Sequence, residues 1–189
     1  VVGDQVGLAL DIASTQFFDS GKYNLANIDK SYTSEEFVKY INNLVSNQPI
    51  ISIEDPFAED DWSAWQQFMT IAPKKLQVLG DDLLTTNLDR LNKAIDQKSA
   101  NAILIKANQN GLVTSTLNVL KQARANNFNT VVSARSGENE DSWLSDLATG
   151  WSAGQIKVGS THGSERNAKW NRLLEFEAVE KTKFLNPFN

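Results

Sequence analysis

Carboxylates and lysines recur in this chain at one kind of place, the far end of a short apolar run. Asp11 closes the run Val6–Ile12, Glu54 and Asp55 follow Ile50–Ile53, and Asp81 and Asp82 follow Leu76–Leu79. Lys106 follows Ala102–Ile105, Ala134-Arg135-Ser136 follow Thr130–Ser133, and Lys157 lies within Gln155–Val158. Three carboxylates on successive strands, Asp11, Glu54 and Asp81, would repel one another severely in a shared bowl unless a cation neutralised them. Oxygen ligands without His or Cys suit Mg²⁺, or Mn²⁺, far better than zinc. Two lysines facing such a cation, Lys106 and Lys157, form a site suited to proton abstraction beside a carboxylate, one lysine acting as base.

Strands must place these residues. Each of the six runs is almost continuously apolar, as expected of a parallel strand covered on both faces. Between them lie segments of helical period. Thr33-Ser34-Glu35-Glu36 is a capping-type start ahead of Phe37, Ile41 and Leu44. Asp61-Trp62 opens a second helix, Asn87-Leu88 a third that runs to Gln97, and Val113–Ala125 forms a fourth. Asp141–Thr149 and Glu165–Lys181 complete the series. Six β-then-α units in succession predict right-handed crossovers and a parallel sheet, doubly wound or curled. No G-x-G-x-x-G loop follows any strand, which favours a TIM-type (βα) barrel, about six units of an eightfold one, over a dinucleotide-binding sheet.

Composition bounds the partners. A net charge of −5 and a pI near 4.9 argue against a nucleic-acid partner, which requires a clustered positive surface. A small anionic substrate remains compatible, because a few lysines or a metal reverse the field inside one cleft. The absence of cysteine removes disulfides, thiolate nucleophiles and zinc-cysteine clusters. Apolar runs are strand-sized rather than membrane-spanning, and the first residues carry no signal-peptide pattern, so the sequence reads as a cytoplasmic chain with no membrane partner. At 189 residues the domain-size prior gives one domain over 1–189.

Several residues have a structural reading. A strand-end Asp commonly caps the following helix, and Asp55 and Asp82 are read as capping or turn residues. Trp62, Trp65, Trp143, Trp151 and Trp170 read as packing between helices and barrel. His162, in a Gly/Ser-rich loop, reads as a solvated residue.

In order and combination, the motifs resemble enolase along nearly the whole chain. Ser52-Ile53-Glu54-Asp55-Pro56-Phe57, Gly80-Asp81-Asp82-Leu83 with Thr86-Asn87, and Leu104-Ile105-Lys106-Ala107-Asn108-Gln109 carry the resemblance. Ser136-Gly137-Glu138 with Glu140-Asp141, Gly154-Gln155-Ile156-Lys157 and Ser164-Glu165-Arg166 extend it. The resemblance implies the enolase C-terminal barrel and a glycolytic, Mg²⁺-dependent lyase interconverting 2-phosphoglycerate and phosphoenolpyruvate. It implies Asp11, Glu54 and Asp81 as metal ligands and Lys106 as the base at carbon 2. Lys157 would face the substrate carboxylate, Arg135 and Ser136 would hold the phosphate, and Ser136 would help seat a second metal.

It also implies a homodimer, and it places a lid domain, with the glutamates that serve as general acid, upstream of the matched segment. Two departures stand out. Ala134 replaces the histidine of the family's S-H-R-S-G-E, and the loop Gly159–Arg166 differs from the usual G-A-P-x-R-S-E-R. The histidine loss favours two competing readings, a degenerate homologue serving as a binding module and a relative acting on another carboxylate. A sheet of six units with two open edges predicts self-association of the isolated chain.

Overall fold

The alternation of apolar runs and capped amphipathic segments is realised as a curled parallel sheet flanked by helices. In the computed structural model, residues 1, 5–180, 182, 184 and 186–188 are described. Strand β1 (Leu8–Asp11) leads through a short 3-10 turn into a small antiparallel sheet of β2 (Phe18–Asp19), β3 (Lys22–Leu25) and β4 (Lys30–Thr33). Then come α1 (Ser34–Asn47), β5 (Ile50–Glu54), α2 (Trp62–Ile71), β6 (Gln77–Gly80), α3 (Leu88–Gln97) and β7 (Ala102–Ile105). The chain continues through α4 (Ala107–Asn110), α5 (Val113–Ala125), β8 (Asn129–Ser133), α6 (Trp143–Gly150), β9 (Gly154–Lys157) and α7 (Ser164–Glu180). The expected helix Glu165–Lys181 is thus found to Glu180, and Lys181 lies outside the described residues.

Helix starts are fixed by side chains. Thr33 and Glu36 form a reciprocal capping box on α1, with the Thr33 N–H donating to Glu36 at 2.8 Å. Asp61 accepts the Ala64 N–H at α2, and Asn87 accepts the Asp89 and Arg90 N–H groups at α3. Each satisfies donors that the first helical turn leaves free.

The main sheet has the order β1-β5-β6-β7-β8-β9, all parallel, so chain order and spatial order coincide. Side chains alternate between its faces. Ile53, Val78, Ile103, Ile105 and Val132 point outward into the large apolar core beneath the helices, with Phe37, Trp65, Phe68 and Leu91. Leu79, Ala102, Leu104 and Val131 form a second, inner cluster. Below them Gln77 bonds Ser52, Asn129 and Gln155, filling the concave side with satisfied amides.

The antiparallel sheet is an element that the apolar-run reading missed. Its strands are two to four residues long and mostly polar. It is held by aromatic packing, with Tyr23 stacked on Phe37 at 4.3 Å and in edge contact with Phe57. The fully buried Tyr23 donates its hydroxyl to Asp61 at 2.8 Å and accepts the Ala58 N–H at 3.1 Å.

Candidate active site at the carboxyl ends of the strands

Period-two alternation decides which strand-end residues meet. With Ser52 and Gln77 on the inner face, Glu54, Leu79 and then Asp81 fall on the same side. Leu104 carries the pattern to Lys106, and Gln155 carries it to Lys157. Register aligns them, since Asp11 lies opposite Glu54 and Glu54 opposite Leu79.

The two lysines each engage the acids. The Lys157 ammonium donates to Asp11 at 2.9 Å and to both oxygens of Glu54 at 2.7 and 2.8 Å. Lys106 donates to Asp81, and both of these side chains are mostly buried. The Lys157–Asp11 pair joins the two outermost strands, β1 and β9. The cleft beside it, about 410 Å³, is lined by Asp11, Glu54, Lys157, Val158, Trp170 and Phe188. Another cleft, about 400 Å³ between α5 and α6, holds none of the candidate residues.

Burial pushes Glu54 up to about 7, against the pull of the Lys157 ammonium and with added repulsion from Asp11 and Asp81. Burial alone would lower Lys157, but its bonds to Glu54 and Asp11 outweigh this and hold it above the ordinary lysine value. Asp82 is raised by burial and by Asp81, while Lys106 and Arg135 pull it down, so the loops after β6 and β8 share one field.

The tightest carboxylate group is Glu54, Asp55 and Asp81, all buried, with one oxygen from each within 4.8 Å of the others. Asp55 accepts the Asp81 N–H at 3.0 Å and the Asp82 N–H at 2.8 Å, which is the turn role read for it from sequence. Burial raises Asp55 to about 8, with these N–H bonds opposing and Asp81 and Asp82 adding to the rise. Asp11 stands outside this tight group and is turned to Lys157. The residues fit a hard divalent cation. The donors are all oxygen, and Asp81 Oδ1 is buried without a hydrogen-bond partner.

Lys106 is set by a residue to which sequence reading gave no role. Thr86, fully buried, accepts the Lys106 N–H at 2.9 Å and faces Gln109 at 2.9 Å and the Leu104 carbonyl at 3.2 Å. Arg135 and Ser136 stand exposed on the loop after β8, their carbonyls both bonded by Arg166. Ala134 is buried and packs in the large outer core, its N–H donating to the Lys157 carbonyl at 2.9 Å.

Among the tryptophans, Trp65 packs fully buried and donates to the Ala58 carbonyl, and Trp62 lies under Lys93 and Arg90. Trp170 lines the cleft, and Trp143 is exposed. His162 is exposed, its N–H bonded to Ser160. Among the described residues, no helix is long and apolar enough to cross a membrane.

Six parallel strands, their crossover helices and an inner-face bowl of acids paired with lysines define an α/β protein of the TIM-barrel type. Residues 2–184 match the family model described as "Enolase, C-terminal TIM barrel domain". The enolases of two strains of Ureaplasma parvum serovar 3 are each 50% identical to it over 188 residues, covering 95% of this chain and 42% of the relative. The chain belongs to the enolase family through its C-terminal barrel domain, and it spans less than half the length of these relatives.

Proposed function

We propose that residues 1–189 form an enolase barrel domain that interconverts 2-phosphoglycerate and phosphoenolpyruvate with Mg²⁺, Mn²⁺ being an alternative ion. The observation that carries this reading is the convergence of Asp11, Glu54 and Asp81 with Lys106 and Lys157 on one inner face. Asp11, Glu54 and Asp81 would hold the ion. When bound, a divalent cation offsets the negative charge that builds on the substrate carboxylate as carbon 2 loses its proton. Lys106 takes that proton, Lys157 pairs with the substrate carboxylate, and the carbon 3 hydroxide leaves as water on a proton from the general acid that the resemblance places upstream. Arg135 and Ser136 receive the phosphate. A glycolytic role, a cytoplasmic location and a homodimer belong to the same proposal.

The test is Mg²⁺-dependent formation of phosphoenolpyruvate by the chain, beside Lys106→Met, Glu54→Gln and Ala134→His. The reading expects turnover, slow where the upstream acid is missing, that both site variants abolish. It expects Ala134→His, which forces an imidazole into the packed outer core, to lower turnover through loss of stability. Undiminished turnover in Lys106→Met refutes the assignment of the base. Mn²⁺ binding without turnover in any of the four proteins favours a second reading, a metal-binding module without catalysis. The specific support for that reading is Ala134, packed into the core where the family's motif has histidine.

A further inference from the structure

Helix α7 turns two basic side chains back beneath the loop that follows β8. Lys169 is fully buried. Its ammonium donates to the Asn139 carbonyl at 2.7 Å, meets Glu138 at 3.0 Å and lies 4.0 Å from Asp141. One helical turn earlier, Arg166 donates to three carbonyls, those of Arg135 at 2.8 Å, Ser136 at 2.8 Å and Val158 at 3.0 Å. Glu138 adds a return contact by accepting the Arg135 N–H at 2.8 Å, so the backbone of Arg135 is gripped at both its N–H and its carbonyl. The stem of Arg166 passes Gly159, where φ is +106° and a Cβ would stand 3.4 Å from Arg166 Cδ and Nε.

A buried ammonium is costly unless it is paired and hydrogen-bonded, so desolvating Lys169 needs the acceptors this loop presents. The loop carries exposed side chains at Arg135 and Ser136 over a backbone that is fixed from below. That is the arrangement anion binding requires, because a side chain on a held backbone loses less freedom when it engages a ligand.

We propose that Arg166 and Lys169 are positioning residues that hold Arg135 and Ser136 ready for a phosphoryl group. This rests on the assignment of Arg135 and Ser136 as the phosphate-binding pair. Arg166 and Lys169 act through the loop, one spent on carbonyls and the other enclosed.

The test titrates inorganic phosphate into the full 189-residue chain and its Arg166→Lys and Lys169→Met variants, followed by phosphorus NMR. Mn²⁺ binding by electron paramagnetic resonance and thermal melting run in parallel. Lysine at 166 keeps the charge but loses the planar fork that reaches several carbonyls. Expected is phosphate binding on the order of tenfold to a hundredfold weaker, as small misplacements of binding groups produce. Mn²⁺ binding at the Asp11, Glu54 and Asp81 carboxylates, whose ion pairs are with Lys106 and Lys157, should stay within about twofold, as for independent sites.

Losses in phosphate and Mn²⁺ binding that track each other and the unfolded fraction would reduce α7 to a structural brace and overturn the proposal. Unchanged phosphate affinity in Arg166→Lys, or no phosphate binding by the unmodified chain, also overturns it. If Lys169→Met does not fold, Arg166→Lys decides alone. A chain that turns over no 2-phosphoglycerate yet loses phosphate affinity in Arg166→Lys defeats the lyase reading and supports the clamp. Normal turnover with unchanged phosphate affinity does the reverse.

Discussion

Replacing Thr86 by valine keeps the shape of a fully buried side chain and removes its hydroxyl. That hydroxyl accepts the Lys106 N–H at 2.9 Å and turns its own hydrogen toward Gln109 and the Leu104 carbonyl. A lost neutral hydrogen bond costs about 1 kcal/mol, and a donor left unpaired at Lys106 adds about 1–3 kcal/mol, giving roughly 2–4 kcal/mol in all. Thr86→Ser keeps the hydroxyl and sheds one methyl, worth about 0.8 kcal/mol of burial. Part of that loss is offset because Thr86 has φ 49°, where a β-branched residue is strained. Urea unfolding separates the two. With a slope of about 2 kcal/mol per molar, Thr86→Val should lower the midpoint by about 1–2 M and Thr86→Ser by under about 0.5 M. Equal midpoints for the valine and serine variants would show that the hydroxyl anchors nothing, and the account of how Lys106 is positioned would fall.

Tyr23→Phe removes the hydroxyl shared by Asp61 and Ala58 and should cost about 1–3 kcal/mol, read from the same unfolding curves. A neutral result would show that the aromatic stack alone holds the antiparallel sheet. Burial opposes ionisation of Glu138, but the Arg135 N–H and the Lys169 ammonium outweigh it and hold the carboxyl below its ordinary 4.5. A depressed folded value stabilises the protein above pH 4.5 and ceases to do so as pH falls through that value. The stability gap between the protein and Glu138→Gln should therefore be flat above 4.5 and close below it, and a gap that widens on acidification contradicts this sign. Gly159→Ala places a Cβ at positive φ against Arg166 and should destabilise by about 1–2 kcal/mol, measured by thermal melting. A melting point at or above that of the parent would mean that the loop relaxes freely.

Much of the frame is legible because parallel strands covered on both faces have to be apolar along their length. Residues that end such runs are therefore conspicuous. The helix caps Thr33, Asp61 and Asn87 are equally visible, since each does its work within three residues of itself. The antiparallel strands Phe18–Thr33 escaped because they are short and polar, and the only local sign is the Ser20-Gly21 turn, where both residues have positive φ. Within the site, residue types and inner-face positions could be read, but partners could not. Lys157 meets Glu54 across 103 positions of sequence, and Lys169 reaches back 31 positions to Glu138. Arg166 appears within a recognised motif, yet nothing local shows that it holds carbonyls rather than ligand. Asp55 joins Glu54 and Asp81 in the tightest carboxylate group, and its positive φ of 41° is a feature that no pattern of residue types displays.

The contact between Lys157 and Asp11 closes a span of 146 positions. Every acid of the bowl lies in the first half of the chain, and both lysines follow. The carboxylates at the ends of β1, β5 and β6 are therefore made before either of the ammonium groups that pair with them. Contacts this distant in sequence form late, because loop closure must be overcome before they contribute. The pairing of Asp11 with Lys157 thus bridges the first and last strands of the sheet, and it requires the sixth strand to be in place.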